Sequence, residues 1–365
     1  MIVKEYGYEY DAKINTELYS STKNKYANSM YKGAYCLRSG RDALKVVARN
    51  CGASVVFIPS LSCESMVTPF ILNNYNIVFY KYNKDYSIDV NDLCQKLSKY
   101  NDCTKLLLVM DYFGNSCTSN RDILGIKEKY SRLKIVNDIT HNFLYYVDSG
   151  IFDYTVASIR KWVNIPDGGL LWSNDIIDIS KFEEENLFSN SRLQAQIMRN
   201  EYLNNGDENL KTEYRKIFSE VGKILDEDSR PYKMSEYSYQ LLCETDFDAI
   251  RSIREKNFAV LSRILSECQN ITLIQNDNFK SNLYVPFLVR NRDIKQRELS
   301  SIGIFNTVIW PLNDIQKDNC MIAKYIGENM LAAPCDQRYT FDEMVYVGNC
   351  IVRCFNEKNS DDFRS

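Results

Sequence analysis

The sequence contains little histidine, and it has neither a basic block nor a long apolar run. One of its 365 residues is histidine, and the formal net charge is −3. A basic face for nucleic acid is therefore not expected. No stretch approaches the roughly 18 apolar residues of a membrane span, and the charged, aromatic first residues lack the apolar core of a signal peptide. We expect a cytoplasmic protein that binds neither nucleic acid nor a membrane.

The cysteines do not form a disulfide or zinc pattern. The chain has 12 of them, but they are scattered and no Cys-x-x-Cys pair occurs. Cys350 and Cys354 are four residues apart, yet no second pair and no nearby histidine complete a zinc set. We therefore expect reduced, mostly buried thiols and no metal site.

The length and the hydrophobic pattern predict an α/β protein of two domains. A chain of 365 residues with 45% apolar residues can bury a large core. We divide it into a polar arm over 1–30, a large domain over 31–235 and a smaller α+β domain over 236–365. In the large domain, apolar strands alternate with helices, which is typical of a mostly parallel sheet with helices on both faces. The predicted strands are 55–59, 77–80, 106–110, 134–137, 154–159 and 169–172.

Three chemically active side chains follow such apolar runs. Asp111, Asp138 and Lys161 each come just after a predicted strand, and the single histidine, His141, is three residues past Asp138. Ligands of parallel sheets bind beyond the carboxyl ends of the strands. We therefore expect these side chains to gather at one edge of the sheet.

A candidate phosphate site begins at Ser39. The run Ser39-Gly40-Arg41-Asp42 fits a capping box at a helix start. Backbone N–H groups at such a start attract anions, and Gly40 has no side chain that would keep an anion away. Taken alone, the motif favours a capped structural helix over a phosphate site.

The segment around Lys161 fits a lysine that forms a Schiff base. Such an amine must lose its proton, so it lies near other cations or away from water. Arg160 is adjacent and Trp162 could exclude water, while Ser158 could hold a phosphate oxygen. Together with Asp138, whose carboxylate would pair with a pyridine nitrogen, this pattern indicates pyridoxal phosphate (PLP) bound to Lys161. Each motif alone also has a structural explanation, including a surface position for Lys161.

Competing catalytic motifs are missing. Ser-x-x-Lys also occurs in serine acyl-transfer enzymes, but their Ser-Asp-Asn and Lys-Thr-Gly partners are absent. The sequence contains no G-x-S-x-G, no P-loop and no G-x-G-x-x-G. Serine hydrolase, phosphate-loop and dinucleotide chemistry are therefore disfavoured.

Together these segments resemble the DegT/DnrJ/EryC1/StrS group of sugar aminotransferases, which are fold-type I PLP enzymes. The resemblance extends over most of the chain, and it depends on the order and spacing of the motifs. The matching stretches are SGRDAL (39–44), FIPSLSCES (57–65), DYFG (111–114), NDITHN (137–142), SIRKWVNIPDGG (158–169) and LAAPCDQRY (331–339).

The resemblance implies a role for each candidate residue. Lys161 would carry the cofactor and move the proton, and Asp138 would pair with the pyridine nitrogen. His141 would lie beside the ring, and Cys63 stands where this group often stacks an aromatic side chain. The phosphate would be held by Ser39, Gly40, Arg41 and Ser158. A homodimer with active sites at the interface is also implied.

The expected reaction is transfer of an amino group from an amino-acid donor to a keto group, and the expected acceptor is a nucleotide-linked keto-sugar. Arg338 is a candidate for binding the donor carboxylate, because a guanidinium suits bidentate contact, although an interdomain salt bridge explains it as well. Residues 189–194 lack the Gly-x-Asn-x-Arg/Lys loop that the partner subunit contributes in this group. Decarboxylation or lyase chemistry, and a non-catalytic PLP-binding scaffold, remain alternatives.

Overall fold

The structure is a computed structural model, and it describes residues 3–12, 31–114, 119–274 and 282–356. Most of the predicted arm therefore lies outside the described residues. Within the described ones, no helix is both long and apolar enough to cross a membrane.

A seven-stranded sheet forms the centre of the large domain. The strands are β2 (Tyr35–Leu37), β3 (Val55–Pro59), β4 (Asn76–Tyr80), β5 (Lys105–Met110), β6 (Leu133–Asp138), β7 (Tyr154–Ala157) and β8 (Gly169–Ser173). Their order in the sheet is β2-β8-β7-β6-β5-β3-β4. Strands β4, β3, β5, β6 and β7 run parallel, and β8 is antiparallel to both β7 and β2.

Both faces of this sheet are covered. Val156 and Leu171 belong to a core with the first helices of the chain, whereas their neighbours Ala157 and Leu170 belong to a second core with later helices. Successive strand residues point to opposite faces, so two cores mean two covered faces. The first core uses α1 (Gly40–Asn50), α2 (Glu64–Ile71), α3 (Val90–Leu97) and α4 (Asn120–Lys129), and the second uses α7 (Glu236–Glu244) and α8 (Phe247–Ser266).

Two long charged helices, α5 (Asn186–Asn205) and α6 (Glu208–Glu227), pack against each other. Gly206 ends α5 in the left-handed conformation, with φ of 77°, which glycine adopts without a steric penalty. Their apolar contacts combine aromatic pairs, as between Tyr202 and Tyr214, with aliphatic residues such as Ala195 and Val221.

A smaller unit follows in the chain. Its elements are β9 (Thr272–Leu273), β10 (Tyr284–Leu288), α9 (Arg292–Ser301), β11 (Ile304–Phe305), β12 (Thr307–Val308), α10 (Asp314–Asn319), α11 (Met321–Asn329), β13 (Met330–Pro334) and α12 (Phe341–Asn356). Four of the strands form an antiparallel sheet of order β12-β13-β10-β9, and helix α8 packs on α12 and on this sheet. A separate parallel pair joins β1 (Tyr6–Gly7), near the start of the chain, to β11.

The predicted strands of the large domain all form, and the predicted mostly parallel sheet with helices on both faces is confirmed. The strand predicted over 154–159 ends earlier, at Ala157, and a short 3-10 turn follows at Ile159–Lys161. The sequence reading did not predict α9, α10, α11 or β13. The domain boundaries at 30 and 235 stay a prediction.

Candidate active site

One cavity at the carboxyl edge of the large sheet collects most of the predicted site residues. It contains both the N-terminus of α1 and Lys161, which are far apart in the sequence. Its lining includes seven of the predicted residues, namely Ser39, Gly40, Arg41, Cys63, Asp138, Ser158 and Lys161.

The N-terminus of α1 forms one end of the cavity. Ser39 is the N-cap, and its hydroxyl oxygen accepts the backbone N–H of Asp42 at 3.1 Å. A Cβ on Gly40 would lie 3.1 Å from the Cβ of Ser158, so a larger residue would crowd this cradle. The first N–H groups of a helix have no partner within it. This end of the cavity is therefore suited to an anion.

Two of the predicted phosphate ligands already have side-chain partners. The Ser39 hydroxyl also lies 2.5 Å from a carboxylate oxygen of Asp42. The Arg41 guanidinium forms an ion pair of 2.9 Å with Asp226. As the structure stands, Gly40 and Arg41 offer backbone N–H groups to an anion, and Ser158 offers its hydroxyl.

Lys161 projects into this cavity from the turn after β7. Burial lowers the pKa of its amine, and the positive charges of Arg160 and Arg41 lower it further, whereas Cys63 and Asp138 favour the charged form. A lower pKa leaves more of the amine unprotonated near neutral pH. Unprotonated amine is the nucleophilic form of lysine.

Asp138 ends strand β6, opposite Met110 of β5 and Val156 of β7 in the register. Its Oδ1 accepts the backbone N–H of Thr140 at 2.9 Å. Burial raises the pKa of this carboxyl, while the Thr140 hydrogen bonds and the charge of Lys161 lower it. Its strand-end position is fixed by main-chain pairing on both sides, so the carboxylate is held rigidly at the cavity.

His141 is buried beside this carboxylate, in an aromatic cage. Its ring centroid lies 5.4 Å from that of Phe113 and 5.4 Å from that of Trp310. Burial, and then the charge of Lys161, hold the pKa of His141 well below its ordinary value. Its Nδ1 has no hydrogen-bond partner among the described residues. The imidazole is therefore neutral and has a free polar atom.

The sequence reading missed two residues at this site. The Thr140 hydroxyl accepts the backbone N–H of Ser158 at 3.0 Å, and the Thr140 carbonyl accepts the indole N–H of Trp162 at 2.7 Å. Thr140 thus ties the Asp138 loop to the Lys161 turn, and its place between Asp138 and His141 was the available signal. Trp310 comes from the smaller unit, and no nearby motif indicated it.

Arg338 and Cys63 have contacts that bear on their predicted roles. The Arg338 guanidinium pairs with Asp336 at 2.8 Å, donates to the Glu9 carbonyl at 3.0 Å and lies 4.5 Å from the Tyr10 ring centroid. It is not among the described residues that line the cavity. Cys63 is at the cavity, with its Sγ 2.9 Å from the Ser65 hydroxyl.

These features fit PLP. An aldehyde needs an unprotonated amine, which Lys161 supplies, and a phosphate needs an anion cradle, which Gly40 provides. A pyridine nitrogen needs a carboxylate, and Asp138 has an oxygen beyond the one that Thr140 holds. His141 is not among the described residues that line the cavity, so its contact with the ring stays a prediction, which its Nδ1 without a partner among the described residues supports.

No protein-family model matches the sequence, and no curated protein matches it either. Solved structures do match the fold. The Spr1654 protein of Streptococcus pneumoniae, provisionally assigned as a sugar aminotransferase and solved in its PLP form, has a TM-score of 0.66 at 12% identity, covering 96% of this chain and 98% of its own.

Two further structures give similar values. PseC of Helicobacter pylori, an aminotransferase involved in the biosynthesis of pseudoaminic acid, has a TM-score of 0.65 at 15% identity over 96% of this chain and 99% of its own. A DegT DnrJ EryC1 StrS aminotransferase from Brucella abortus has a TM-score of 0.63 at 14% identity over 96% and 92%. The chain therefore has the fold of these aminotransferases, which is the fold-type I architecture that the sequence predicted.

Proposed function

We propose that this protein is a PLP-dependent aminotransferase that moves an amino group from an amino acid to the keto group of a nucleotide-linked sugar. The observation that carries the proposal is the convergence of the Lys161 amine, the Asp138 carboxylate and the α1 N-terminus on one cavity. The fold of sugar aminotransferases around that cavity supports the substrate class.

In this proposal the chain holds the cofactor at three places. The backbone N–H groups of Gly40 and Arg41 and the hydroxyl of Ser158 would hold the phosphate at the N-terminus of α1. Asp138 would hold the ring nitrogen, and His141 would hold the ring edge. Because Asp138 is fixed by β-sheet pairing on both sides, it sets the position of the ring.

When bound, PLP supplies an electron sink for the charge released as the substrate Cα–H bond breaks. The side chains determine where protons reside. Burial and the neighbouring arginines keep the Lys161 amine ready to accept the Cα proton. The negative charge of Asp138 keeps a proton on the nitrogen that it faces. His141 stays neutral, so it adds a hydrogen bond without adding a charge.

Covalent labelling tests the cofactor assignment. The purified protein should be yellow, and borohydride should fix the cofactor to the chain. Peptide mapping should then find the label on Lys161. A label on another lysine, or no label at all, would contradict the assignment.

A single-turnover spectrum tests the reaction class. Glutamate or glutamine should convert the aldehyde form of the cofactor to the amine form, and the matching keto acid should reverse this. Carbon dioxide release or elimination products would instead indicate decarboxylase or lyase chemistry. A spectrum that a full panel of amino acids leaves unchanged would favour a non-catalytic PLP-binding scaffold.

We also propose that the protein is a cytoplasmic homodimer. The resemblance to sugar aminotransferases and the frequency of two-fold symmetric dimers support the assembly. The described cysteines are all free, which suits a reducing compartment. Light scattering that reports an active monomer would refute the dimer.

A further inference from the structure

We propose that Arg160 binds the carboxylate of the amino donor. This inference rests on the proposed function, because it assigns one half of the substrate pair to a residue of the same cavity. Arg160 precedes Lys161 in the chain and is itself among the residues that line the cavity. A carboxylate bound there would lie beside the Lys161 amine, which in the proposed reaction accepts the Cα proton of the donor.

Arg41, Arg192 and Arg338 have charges that act on Arg160 or on its partner Glu9. Arg192 has a carboxylate oxygen of Glu9 at 2.7 Å, and Arg338 has one of Asp336 at 2.8 Å. Arg41 has one of Asp226 at 2.9 Å. Each of these three arginines therefore has a carboxylate in direct contact.

Arg160 lacks such a partner. Its only ion pair among the described residues joins its Nη1 to Glu9 at 3.6 Å, and Glu9 is already bound by Arg192. Within the described part of the chain the Arg160 Nε has no hydrogen-bond partner, and the same holds for the Nε of Arg41. One carboxylate shared between two guanidinium groups leaves a surplus positive charge at the cavity wall.

This surplus is costly to the folded protein. Burial, and then the charge of Arg192, lower the pKa of Arg160 to about 10. The guanidinium nevertheless remains charged at neutral pH. A buried charge is stabilised when an opposite charge and hydrogen bonds meet it. A bound anion would therefore supply the opposite charge and the hydrogen bonds that Glu9 supplies only in part.

The main chain around Arg160 is held in place. Arg254 donates to the Lys161 carbonyl at 3.4 Å, and Gln337 donates to the Trp162 carbonyl at 2.8 Å. Arg254 and Gln337 are themselves joined at 2.8 Å. Arg160 is thus presented from a fixed backbone, which reduces the entropy lost when a ligand binds.

A donor carboxylate suits this position better than the cofactor phosphate. The phosphate already has the N-terminus of α1 and the Ser158 hydroxyl. Glu9 shows that a carboxylate fits between Arg160 and Arg192. Its partial burial raises the pKa of Glu9, but these two guanidinium groups and that of Arg338 lower it to about 2. A planar guanidinium also matches a carboxylate in two parallel hydrogen bonds.

The test uses the holoprotein and glutarate, a dicarboxylate without an amine. Glutarate should perturb the cofactor absorbance with a saturable Kd. Arg160→Met should raise this Kd about 10- to 100-fold, as expected when hydrogen bonds to a charged group are lost. Arg160→Lys keeps the positive charge but not the paired N–H donors of the guanidinium, so its Kd for glutarate should lie between those of the unmodified protein and Arg160→Met. The exposed Arg263→Met, which removes an arginine far along α8, should match the unmodified protein.

A second titration separates the carboxylate from the phosphate. The Kd of PLP for the apoprotein should be the same in Arg160→Met and in the unmodified protein, within about threefold. Unchanged glutarate binding in Arg160→Met would overturn the assignment, and so would a larger loss of PLP affinity than of glutarate affinity. A holoprotein with no saturable glutarate response would overturn it too.

The proposed function and the proposed role of Arg160 can be refuted separately. If borohydride leaves no label on Lys161 of the unmodified protein, the proposed function itself fails. If Arg160→Met carries the Lys161 label and binds glutarate normally, only the role of Arg160 is refuted.

Discussion

Two groups of buried charge lie on either side of the first turn of α1, and they differ in how well their charges are matched. The first group, the charge network, consists of Arg38, Asp42, Lys45 and Glu185. Arg38 donates to both carboxylate oxygens of Asp42, at 3.0 and 2.9 Å, and to Glu185 at 2.8 Å. Lys45 donates to the Leu225 carbonyl at 3.0 Å.

The second group, the cavity group, consists of Lys161 and Asp138, which line the cavity, and of His141, whose pKa the charge of Lys161 lowers. Lys161 has no ion pair within 4.0 Å among the described residues, whereas the buried Arg38 and Arg199 each have one. His141 has a nitrogen without a partner. Burial shifts the pKa of all three toward the uncharged form.

This difference distinguishes charges that stabilise the fold from charges that are suited to bind a ligand. In the charge network, each group has a partner that offsets the cost of burial, and this is what folding requires. In the cavity group the cost is only partly offset, so these residues destabilise the empty site. Unmatched polar groups in a cavity are typical of a site that a ligand completes. The two groups should therefore respond oppositely to substitution.

The largest effect on activity is expected for Lys161→Ala. Turnover should be abolished, because no other described group at the cavity can form the Schiff base. Chemical denaturation of the apoprotein should show no loss of stability, since a buried and poorly paired amine is removed. Residual transamination at a measurable rate, or a large loss of stability, would break the comparison.

Asp42→Ala should have the largest effect on stability. Asp42 is fully buried and receives Arg38, and removing one partner of a buried pair costs about 3–5 kcal/mol. Urea denaturation measures this change. The control is Asp248→Ala, which removes a half-exposed partner of Arg251 and should cost no more than about 1 kcal/mol. Equal losses in the two variants would show that burial of the pair is not what matters.

Asp138→Asn should slow the half-reaction by roughly 10²–10³, on the scale of other electrostatic catalytic contacts. The amide keeps the shape but removes the charge that holds the ring nitrogen protonated. The cofactor should still bind, and the apoprotein should lose less stability than Asp42→Ala does. Stopped-flow absorbance with glutamate gives the rate, and near-normal kinetics would make Asp138 a structural residue.

The smallest effect, a change in how stability depends on pH, is expected at Asp111, which directly follows strand β5. Burial raises the pKa of its carboxyl to about 7, although Asn142 donates to it at 3.0 Å. The folded state therefore binds this proton more tightly than the unfolded state. The resulting stability is full below about pH 4, the ordinary range of an aspartate, and it is lost as the pH rises toward 7.

Asp111→Asn should remove this dependence. The contribution has a slope of at most about 1.4 kcal/mol per pH unit for one proton. Denaturation of the two apoproteins at several values between pH 5 and 8 would isolate it as a difference. Parallel stability curves for the two proteins would show that Asp111 does not titrate in this range.

Much of the large domain could be predicted because its signals are local. The five residues of β3 are all buried, and such short apolar runs between turn signals already indicate buried strands in the sequence. Ser39 caps α1 in the structure through a contact three residues along the chain. The convergence of Asp138 and Lys161 followed from the rule that the carboxyl ends of parallel strands share an edge.

The sequence was less informative where distant segments meet. It determined the fold class and the apolar strands of the large domain, and it brought Asp138 and Lys161 to one edge of the sheet. Only the tertiary structure decided that Trp310 covers His141, that Arg338 pairs with Asp336, and that Glu9 is shared by Arg160 and Arg192. Periodicity and capping act within a few residues, whereas the pairing of a buried charge depends on which distant side chain the fold brings within about 4 Å.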